Sequence, residues 1–377
     1  MRIGFDAKRL YNNFTGLGNY SRFVVEALSR FHPNNNYSLF TPTLKSNSDT
    51  RFFLESENIQ TILPPSWISK LKLNSFWRSF MISDAVDKVG IDVYHGLSHE
   101  LPRSLSKNIR TVVTVHDLIF LRYPQFYNRI DVMIYKTKIN HACKTADRIV
   151  AISEQTKQDI VEFLKIPASK IDIIAQGCHP NFFRVPDQQE LANVKHKYGL
   201  PDKFILNVGT IEPRKNALQI VKALHILEDK IDVPLVIIGR ATQYLQEIKA
   251  YVKKHSLEKR IFYIHKTDFA DLPAIYRLSS IFVYPSLFEG FGIPLVEAIA
   301  CGVPVITSTG SCFSEAAGPN AIYVAPENAE ALAYQIERLL LDSTLSNQIT
   351  ALSLQYIERF RPSIIADQLM TVYELSN

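Results

Sequence analysis

The stretch SLFEGFGIPLVEAIACGVPVITS, Ser286 to Ser308, follows the apolar run SIFVYP and itself ends in another, VPVITS. The two apolar runs predict buried strands, and the segment between them predicts a helix that begins at Pro294 and ends near Gly302. Two strands joined through one helix form the unit from which parallel sheets are built. The stretch places Glu289 on the loop after the first strand and Glu297 in the first turn of the helix, both among apolar residues.

The same alternation of strands and helices runs through the whole chain and is interrupted once, near Pro186. The predicted strands are RIGFD, DVYHG, TVVTVHD, RIVAIS and KIDIIAQG in the first half, and KFILNVG, VPLVIIG, RIFYIH, SIFVYP and VPVITS in the second. Two such series predict an α/β protein with two doubly wound parallel-sheet domains that face each other across a cleft. We expect the domains over 1–185 and 186–360, followed by a final helix over 361–377.

The composition is that of a large globular protein, because 46% of the 377 residues are hydrophobic and 21% are charged. The four cysteines (Cys143, Cys178, Cys301 and Cys312) form no paired motif, which is typical of reduced thiols in the cytosol. The N-terminus lacks the long apolar core of a signal peptide, and no apolar run approaches the roughly 18 residues of a membrane span. We therefore expect a cytoplasmic protein that is at most peripheral to a membrane.

The net charge of +5 is unevenly distributed, since residues 1–184 carry 24 Lys and Arg against 16 Asp and Glu. Such a basic half is either a solvated surface or one that attracts phosphates or an anionic membrane. Within it, the segment PPSWISKLKLNSFWRSF combines basic and aromatic residues, as interfacial helices do. The alternative is an amphipathic helix that packs on its own domain. The residues that decide between the two are Trp67, Lys70, Lys72, Trp77 and Arg78.

The loop VGTIEPRKN follows the first strand of the second domain. Gly209 ends the strand, and Glu212 with Pro213 stiffens the turn ahead of Arg214 and Lys215. An arginine can bind two phosphate oxygens at once and a lysine adds a point charge, so the pair suits a diphosphate. Because ligands of doubly wound sheets bind at the carboxyl ends of the strands, we expect phosphate binding here rather than an ordinary solvated pair.

The two glutamates of the opening stretch lie at an equivalent loop. Gly290 and Gly292 would leave backbone N–H groups at a helix N-terminus, where anions and hydroxyl oxygens bind well. The alternative for either glutamate is structural: Glu297 would complement the helix dipole and Glu289 would be solvated. Two carboxylates beside glycines at a ligand-facing loop favour a functional interpretation.

In the first half, TGLGNY (Thr15–Tyr20) follows the first strand and opens a helix, but it lacks the third glycine of a dinucleotide fingerprint. It would let a phosphate or sugar approach the backbone. His116 and Asp117 end the strand TVVTVHD, where a catalytic or hydroxyl-contacting role competes with a structural one. His95 and His99 give a weaker signal of the same kind. The histidines show no spacing typical of a metal site.

These motifs together resemble the retaining glycosyltransferases of the GT-B fold, and among them family 4. The segments that carry the resemblance are TGLGNYSR, VTVHD, VAISEQTKQDI, GTIEPRKN, EGFGIPLVE and STGSCFSEAAG. The sequence departs from the family pattern at Ser314, where a proline is expected before Glu315, and at Phe360–Pro362, where an aromatic Ser-Trp is usual. The resemblance implies two Rossmann-like domains, with the last helix returning to the first domain.

The resemblance also implies an activity: transfer of a hexose from a nucleoside diphosphate sugar, GDP- or UDP-linked, to a glycan or lipid-linked acceptor, with no metal and no nucleic acid. Arg214 and Lys215 would hold the diphosphate, Glu297 the ribose and Glu289 the sugar. Similarity to bacterial polysaccharide mannosyltransferases favours mannose. The expected catalytic residues are Glu289, His116, Arg214 and Lys215. The expected donor-binding residues are Gly209, Glu212, Arg214, Lys215, Gly290, Phe291, Gly292, Ile293 and Glu297, and the expected acceptor or phosphate loop contains Gly16, Gly18, Asn19, Tyr20 and Asp117.

Two other functions compete with this one. A catalytically silent nucleotide-sugar-binding protein could use the same scaffold, because fold alone does not fix function. A nicotinamide oxidoreductase would use Rossmann-like domains as well, but the missing third glycine argues against it.

Overall fold

The computed structural model describes residues 1–71, 73–103 and 105–375, and the chain divides into two compact units. The first unit contains Met1–Gly177 and the chain from Phe360 onward; the second contains Cys178–Arg359. The structure therefore places the boundary between the two units after Gly177, earlier in the chain than the boundary that the sequence predicts after residue 185.

The first unit is built on a seven-stranded parallel sheet in the order β3-β2-β1-β4-β5-β6-β7. Its strands are β1 (Arg2–Asp6), β2 (Asn36–Phe40), β3 (Ile59–Ile62), β4 (Val93–Gly96), β5 (Arg110–Val115), β6 (Arg148–Ala151) and β7 (Ile171–Ile173). Its helices up to this point are α1 (Lys8–Asn12), α2 (Gly16–Phe31), α3 (Arg51–Glu55), α4 (Ser66–Lys70), α5 (Asn74–Phe76), α6 (Ile82–Val89), α7 (Ile119–Arg122), α8 (Arg129–Thr145) and α9 (Glu154–Leu164). A π-helical turn, Trp77–Met81, joins α5 to α6.

The second unit is built on a six-stranded parallel sheet in the order β10-β9-β8-β11-β12-β13. Its strands are β8 (Ile205–Val208), β9 (Leu235–Ile238), β10 (Ile261–Ile264), β11 (Ile281–Tyr284), β12 (Val305–Ser308) and β13 (Ile322–Val324). Its helices are α10 (Gln188–Tyr198), α11 (Ala217–Ile226), α12 (Tyr244–Lys254), α13 (Leu272–Leu278), α14 (Ile293–Ala300), α15 (Phe313–Ala317), α16 (Ala329–Leu341) and α17 (Ser343–Ile357). The last helix of the chain, α18 (Pro362–Glu374), packs against α2 of the first unit.

The prediction of two doubly wound parallel sheets is confirmed. The strands read as nearly continuous apolar runs because helices cover both faces of a parallel sheet; all four residues of β9 and of β11 are buried. In each unit the strand order reverses once: beside β1 in the first, and beside β8 in the second. Ligands of doubly wound sheets bind at such a reversal, beyond the carboxyl ends of the two strands that flank it.

The start of α9 agrees with the sequence prediction, whereas the chain between β1 and α2 differs from it. Ser153 caps α9, as its position predicts, because its side chain accepts a hydrogen bond from the Thr156 amide. The segment after β1, which the sequence predicts to be a loop, contains α1, and α2 begins at Gly16 rather than at Tyr20. The early start is possible because Gly18 lies against the Asn13 carbonyl, where a Cβ would come within 1.7 Å of the oxygen.

The segment PPSWISKLKLNSFWRSF of the first unit is only partly exposed to solvent. Trp77 is 2% exposed and packs in the core, and the buried Arg78 forms an ion pair with Asp6 at 2.9 Å, so neither could face a membrane. Trp67 and Lys70 are exposed, and Lys72 lies outside the described residues. In the described part of the chain, every helix is too short or too polar to span a bilayer.

Candidate functional site

A cluster of charged side chains lies at the strand-order reversal of the second unit, between the loops that follow β8 and β11. The Glu289 carboxylate lies 2.6 Å from the Lys215 Nζ and 2.7 Å from the Arg214 Nη1. Arg214 uses its other terminal nitrogen, Nη2, to bind Glu212 at 2.6 Å. The sequence predicts all four residues for this site, and the structure brings them into one ion-pair network.

The loop after β8 is held rigidly against the loop after β11. Pro213–Lys215 forms one 3₁₀ turn, which Asn216 ends in the left-handed conformation at φ 57°. The Asn216 side chain donates hydrogen bonds to the carbonyls of Pro285 and Pro326, at 3.1 and 2.7 Å. The Arg214 carbonyl accepts a hydrogen bond from the Leu287 amide at 2.8 Å. The backbone therefore positions both cations before any ligand binds.

Glu289 is buried, with 7% of its surface exposed, and its carboxylate is fully hydrogen-bonded. Besides the two cations, Ser286 Oγ donates to it at 2.7 Å and the Tyr284 hydroxyl at 3.1 Å. Burial alone would raise the pKa of Glu289, but Lys215 and Arg214 outweigh burial and lower it to about 2. Glu289 is thus a permanent anion at neutral pH.

The two cations respond differently to their burial. The pKa of Arg214 is raised because Glu289 and Glu212 outweigh the cost of desolvation. The pKa of Lys215 is lowered, first by desolvation and then by the adjacent Arg214, against the pull of Glu289. Two cations and two carboxylates compensate one another, so an incoming diphosphate would have to compete with Glu289 and Glu212 for the same donors.

The glycine loop between the two glutamates is shaped by the segment after β12. Gly292 has a φ of 96° and precedes the first residue of α14, a backbone conformation that favours glycine. Cys312 Sγ lies 3.2 Å from the Glu289 carbonyl oxygen and 3.1 Å from that of Phe291, and its one proton is available to either. Ser311 Oγ donates to the Glu289 carbonyl at 3.1 Å. Of the other residues predicted here, Gly290 and Phe291 are buried and Ile293 is half-buried.

Glu297 does not lie where the sequence predicts. Helix α14 begins at Ile293, ahead of Pro294, so Glu297 is its fifth residue rather than a member of the first turn. Its carboxylate accepts a hydrogen bond from the Tyr276 hydroxyl at 2.9 Å and, among the described residues, forms no ion pair. Burial raises the pKa of Glu297 to about 7, with the Tyr276 hydrogen bond opposing it. The two glutamates therefore have opposite electrostatic environments.

Gly209 directly follows β8 with a φ of 152°, and its carbonyl lies against Gly239, where a Cβ would come within 1.8 Å of the oxygen. The strand ends of β8 and β9 thus approach each other more closely than side chains would permit. This close approach keeps the start of the Arg214 loop compact.

In the first unit, His116 is buried with both ring nitrogens engaged. Nε2 donates to the Leu97 carbonyl at 2.9 Å, and Nδ1 therefore accepts from the Gln176 amide at 3.1 Å. Burial and the neighbouring His99 lower the pKa of His116 to about 3, so the ring is neutral. A ring nitrogen of His116 could bond a substrate only if Gln176 moved.

The other residues predicted for the first unit have separate roles. Tyr20 is buried, its hydroxyl lies 3.1 Å from Thr114 Oγ1, and its ring packs edge-on against His116. Asn19 accepts a hydrogen bond from Arg22 at 2.5 Å, and Gly16 is exposed. Asp117 accepts a hydrogen bond from the Ile119 amide at 3.1 Å, at the start of α7. His95 bonds Tyr373 and Thr114 in the core and is structural.

Sequence reasoning missed the neutral residues that orient the charged ones. These are Asn216, Tyr276, Tyr284, Ser286, Ser311 and Cys312. Tyr284 and Ser286 could have been found from the sequence, because they lie at the carboxyl end of the strand that leads to Glu289. They precede Glu289 by five and three residues. Within the described residues, no group of three or more His, Cys, Asp or Glu side chains could hold a metal ion.

Two family profiles match the chain, one over each half. The family described as "Glycosyltransferase Family 4" matches residues 15–182, and "Glycosyl transferases group 1" matches residues 188–352. Between them they include the site in the second unit and His116 in the first.

Individual proteins agree with the profiles. The chain is 26% identical to O-antigen chain mannosyltransferase B of Escherichia coli over the full length of both proteins. It is 30% identical to the serotype-specific mannosyltransferase WbdA of Escherichia coli over 67% of this chain, which spans 32% of that protein. The crystal structure of Anabaena Alr3699/HepE in complex with UDP-glucose superposes with a TM-score of 0.75 at 15% identity, covering 99% of both chains. The last similarity concerns the fold, and it confirms the predicted GT-B class.

Proposed function

This chain belongs to glycosyltransferase family 4 and is a hexosyltransferase, and we propose that it transfers mannose from a nucleoside diphosphate sugar to a hydroxyl group of a growing glycan. Mannose is supported by the relatives that are named mannosyltransferases. The nucleotide is GDP or UDP in this proposal, and the acceptor is a glycan or a lipid-linked oligosaccharide.

The observation that carries the proposal is the network of Arg214, Lys215 and Glu289 at the strand-order reversal of the second unit. A sugar leaves a nucleoside diphosphate as the diphosphate gains negative charge. Fixed cations stabilise that charge without reorganising, and losing one such donor typically costs about 3 kcal/mol in the barrier. Arg214 and Lys215 are rigidly positioned for this role, because the backbone around them is hydrogen-bonded to the neighbouring loop.

The carboxylates have distinct parts in this proposal. Glu297, held by Tyr276, accepts hydrogen bonds from the ribose hydroxyls. Glu289 and the backbone of Gly290–Gly292 contact the sugar, where the carboxylate also favours the positive charge of an oxocarbenium-like transition state. Its anionic form at neutral pH suits that part. The anomeric configuration is retained, as in the family that the motifs resemble.

The first unit supplies the acceptor side of the proposed reaction. His116 and Asp117 follow β5, and Gly16–Tyr20 opens α2 after β1, so both segments lie at the carboxyl edge of the same sheet. His116 is neutral and both of its ring nitrogens are engaged, so in this proposal it bonds the acceptor only after the Gln176 side chain moves away. The four buried free cysteines fit a reducing compartment, and we place the protein in the cytoplasm.

Nucleoside diphosphate release tests the proposed activity. The full chain is incubated with GDP-mannose, UDP-glucose or UDP-N-acetylglucosamine and with octyl α-D-mannopyranoside as a surrogate acceptor. We expect release of GDP from GDP-mannose, and a loss of turnover of about 100-fold or more in Arg214→Ala and in Lys215→Ala. Lys253→Ala, an exposed lysine in the last turn of α12, is the matched control and should keep full turnover.

Full turnover in both site variants would overturn the assignment of the site. Binding of GDP or UDP by calorimetry without release from any sugar nucleotide would instead favour a silent binding protein. Turnover with UDP-glucose alone would leave the site intact and reject mannose.

A further inference from the structure

The first unit contains a cavity to which the proposed reaction assigns no role. It has a volume of about 270 Å³ and lies between the π-helical turn, the loop after β4 and helix α8. Among the residues that line it are Ser79, Phe80, Glu100, Arg103, Lys138 and His141. The volume is close to the lower end of the range for small-molecule sites, and it suits a ligand of monosaccharide size.

His141 shows which kind of group the cavity lacks. Its ring is hydrogen-bonded to the Pro102 carbonyl, whereas its Nε2 is buried and has no partner among the described residues. The bond to Pro102 therefore uses Nδ1, which donates. Desolvation and the nearby Arg103 lower the pKa of His141, so the ring is neutral and Nε2 carries no proton. A buried acceptor without a partner is costly, and a ligand hydroxyl that donates to Nε2 would relieve that cost.

The charged groups of the cavity include both acceptors and donors. Arg78 and Lys138 outweigh desolvation and lower the pKa of Glu100, so its carboxylate is ionised and can only accept hydrogen bonds. Arg103 can only donate, and it forms no ion pair within the part of the chain that the structure describes. An anion such as sulfate has no proton for His141 Nε2 and would be repelled by Glu100. A polyol, whose hydroxyls both donate and accept, could bond all of these groups.

One wall of the cavity is aromatic. The Phe80 ring lies 5.7 Å from the Arg103 guanidinium and 5.1 Å from the Phe76 ring, and the side chain remains 45% exposed. The face of an aromatic ring is weakly negative, so it attracts the weakly positive C–H groups on one face of a pyranose ring. Water could donate to His141 Nε2, but it would not cover the Phe80 ring. An aromatic wall among hydrogen-bond donors and acceptors therefore favours a sugar.

The loop after β4 connects this cavity to the proposed acceptor side of the site. His116 Nε2 donates to the Leu97 carbonyl at 2.9 Å, and the ring of His99 lies 5.1 Å from that of His116. Glu100 comes three residues after Leu97, so their Cα atoms are at most about 11 Å apart. A glycan whose reacting hydroxyl lies near His116 could thus place one of its other sugars in the cavity.

We propose that this cavity binds a hexose residue of the acceptor glycan other than the residue that receives the transferred sugar. A hydroxyl of this hexose donates to His141 Nε2, further hydroxyls bond Glu100 and Arg103, and one face of its ring packs on Phe80. The proposal rests on the proposed function for the identity of the glycan. It adds that the protein recognises acceptors longer than one sugar.

The dependence of turnover on acceptor length tests the proposal. Octyl α-D-mannopyranoside is compared with the octyl glycosides of α-linked mannobiose, mannotriose and mannotetraose, using whichever sugar nucleotide the full chain turns over. In the wild-type protein, kcat/KM should rise with length by about tenfold, chiefly through a lower KM. One hydrogen bond to a buried acceptor, together with burial of part of an aromatic side chain, accounts for about that factor.

Two variants remove the proposed contacts. His141→Asn places an amide nitrogen close to the position of Nδ1, so it keeps a donor for Pro102 and removes Nε2. Phe80→Ser removes the aromatic wall. Both variants should lose the gain with length and keep the wild-type kcat/KM for octyl α-D-mannopyranoside. His196→Asn and Phe262→Ser change exposed residues of the same types in the second unit, and these matched controls should keep the gain.

Calorimetric titration with α-linked mannotetraose, in the absence of any donor, measures the same contacts without turnover. The wild-type protein should bind the tetrasaccharide, and His141→Asn and Phe80→Ser should each bind it at least fivefold more weakly. Equal melting temperatures of the wild-type protein and the variants would show that the variants are folded.

Three results would overturn the proposal: a kcat/KM that is independent of acceptor length, a gain with length that both variants retain, and binding of sulfate but not of mannotetraose by the wild-type protein. The last would make the cavity a site for small anions. Failure of the proposed function has a different signature. It would appear as mannotetraose binding that depends on Phe80 and His141, without nucleotide release from any sugar nucleotide.

Discussion

Replacing Glu289 with glutamine separates two functions of this residue that oppose each other. In the free protein, Glu289 is the counterion of Lys215 and Arg214, at 2.6 and 2.7 Å. In the proposed reaction, the same cations bind the diphosphate. Glu289→Gln keeps the size of the side chain and its hydrogen bond with Ser286 but removes the charge. We therefore expect the variant to bind nucleoside diphosphate more tightly and to transfer sugar more slowly.

The size of the effect follows from the ionisation of Glu289. A pKa of about 2, against 4.5 for an ordinary glutamate, corresponds to about 3 kcal/mol in favour of the ionised carboxylate. Removing one member of a buried ion pair costs a similar amount, about 3–5 kcal/mol, because the partner remains charged. A bound diphosphate restores the missing anion and recovers part of that cost. Recovery of half of it, about 1.5 kcal/mol, is roughly a tenfold gain in affinity.

The assay is calorimetric titration with whichever of GDP and UDP the wild-type protein binds, together with nucleotide release at saturating donor. The expected outcome is a dissociation constant about tenfold lower and a turnover about 100-fold lower. Glu212→Gln is the matched control, because Glu212 also binds Arg214 but its side chain is 32% exposed, and its effect on affinity should be smaller. Weaker nucleotide binding in Glu289→Gln would refute the idea that Glu289 competes with the diphosphate.

Three further predictions concern single positions. Arg214→Lys should lower turnover about 100-fold in the nucleotide-release assay, because one ammonium cannot bind two carboxylates, or two oxygens of the proposed diphosphate, with the paired nitrogens of a guanidinium. Glu297→Gln should raise the free energy of unfolding in urea above pH 7 and leave it unchanged below pH 4.5. Because the pKa of Glu297 is about 7 in the folded protein, its ionised carboxylate destabilises the wild-type fold above pH 7, and glutamine removes that charge. Below pH 4.5 the carboxyl group is protonated in both the folded and the unfolded protein, so the charge is absent from both. Gly18→Ala should destabilise the chain by about 1–3 kcal/mol in thermal unfolding, because the added Cβ would collide with the Asn13 carbonyl. Gly16→Ala is the control: its Cβ would meet no atom within 4 Å, and it should be neutral. Equal melting temperatures of the two variants would contradict this prediction.

The positions of the charged residues could be predicted because they follow from chain topology. Arg214 and Glu289 each come a few residues after a buried strand, and parallel strands end at one edge of their sheet. Strand order was the unknown quantity, since the sequence does not show that β8 and β11 are neighbours. Once they pair, with Ile281 beside Ile205, the two loops have to meet. The sequence motifs and the strand order then indicate the same location for the site, at the carboxyl ends of β8 and β11.

The neutral partners could not be predicted by the same reasoning. Tyr276 reaches Glu297 from α13, and Ser311 and Cys312 reach the glycine loop from the segment after β12. Tyrosine, serine and cysteine are common in any core, so their types carry no signal. The start of α14 was misplaced by one residue for a related reason: proline is tolerated throughout the first turn of a helix, so it does not identify the first position.

The arrangement of charge in the second unit explains why the two glutamates of the opening stretch differ. Two largely buried cations without counterions would destabilise the free protein. A site that uses them to bind a diphosphate, as we propose, therefore also needs carboxylates that neutralise them when no diphosphate is bound. Glu289 fills that position, and the pull of Lys215 and Arg214 keeps it ionised. Glu297 has no cation beside it in the described structure, and its raised pKa reflects that difference. A ribose hydroxyl is neutral and needs only an acceptor, so the role proposed for Glu297 requires no paired cation. The role proposed for Arg214 and Lys215 requires their ion pairs with Glu289 to open each time a donor binds.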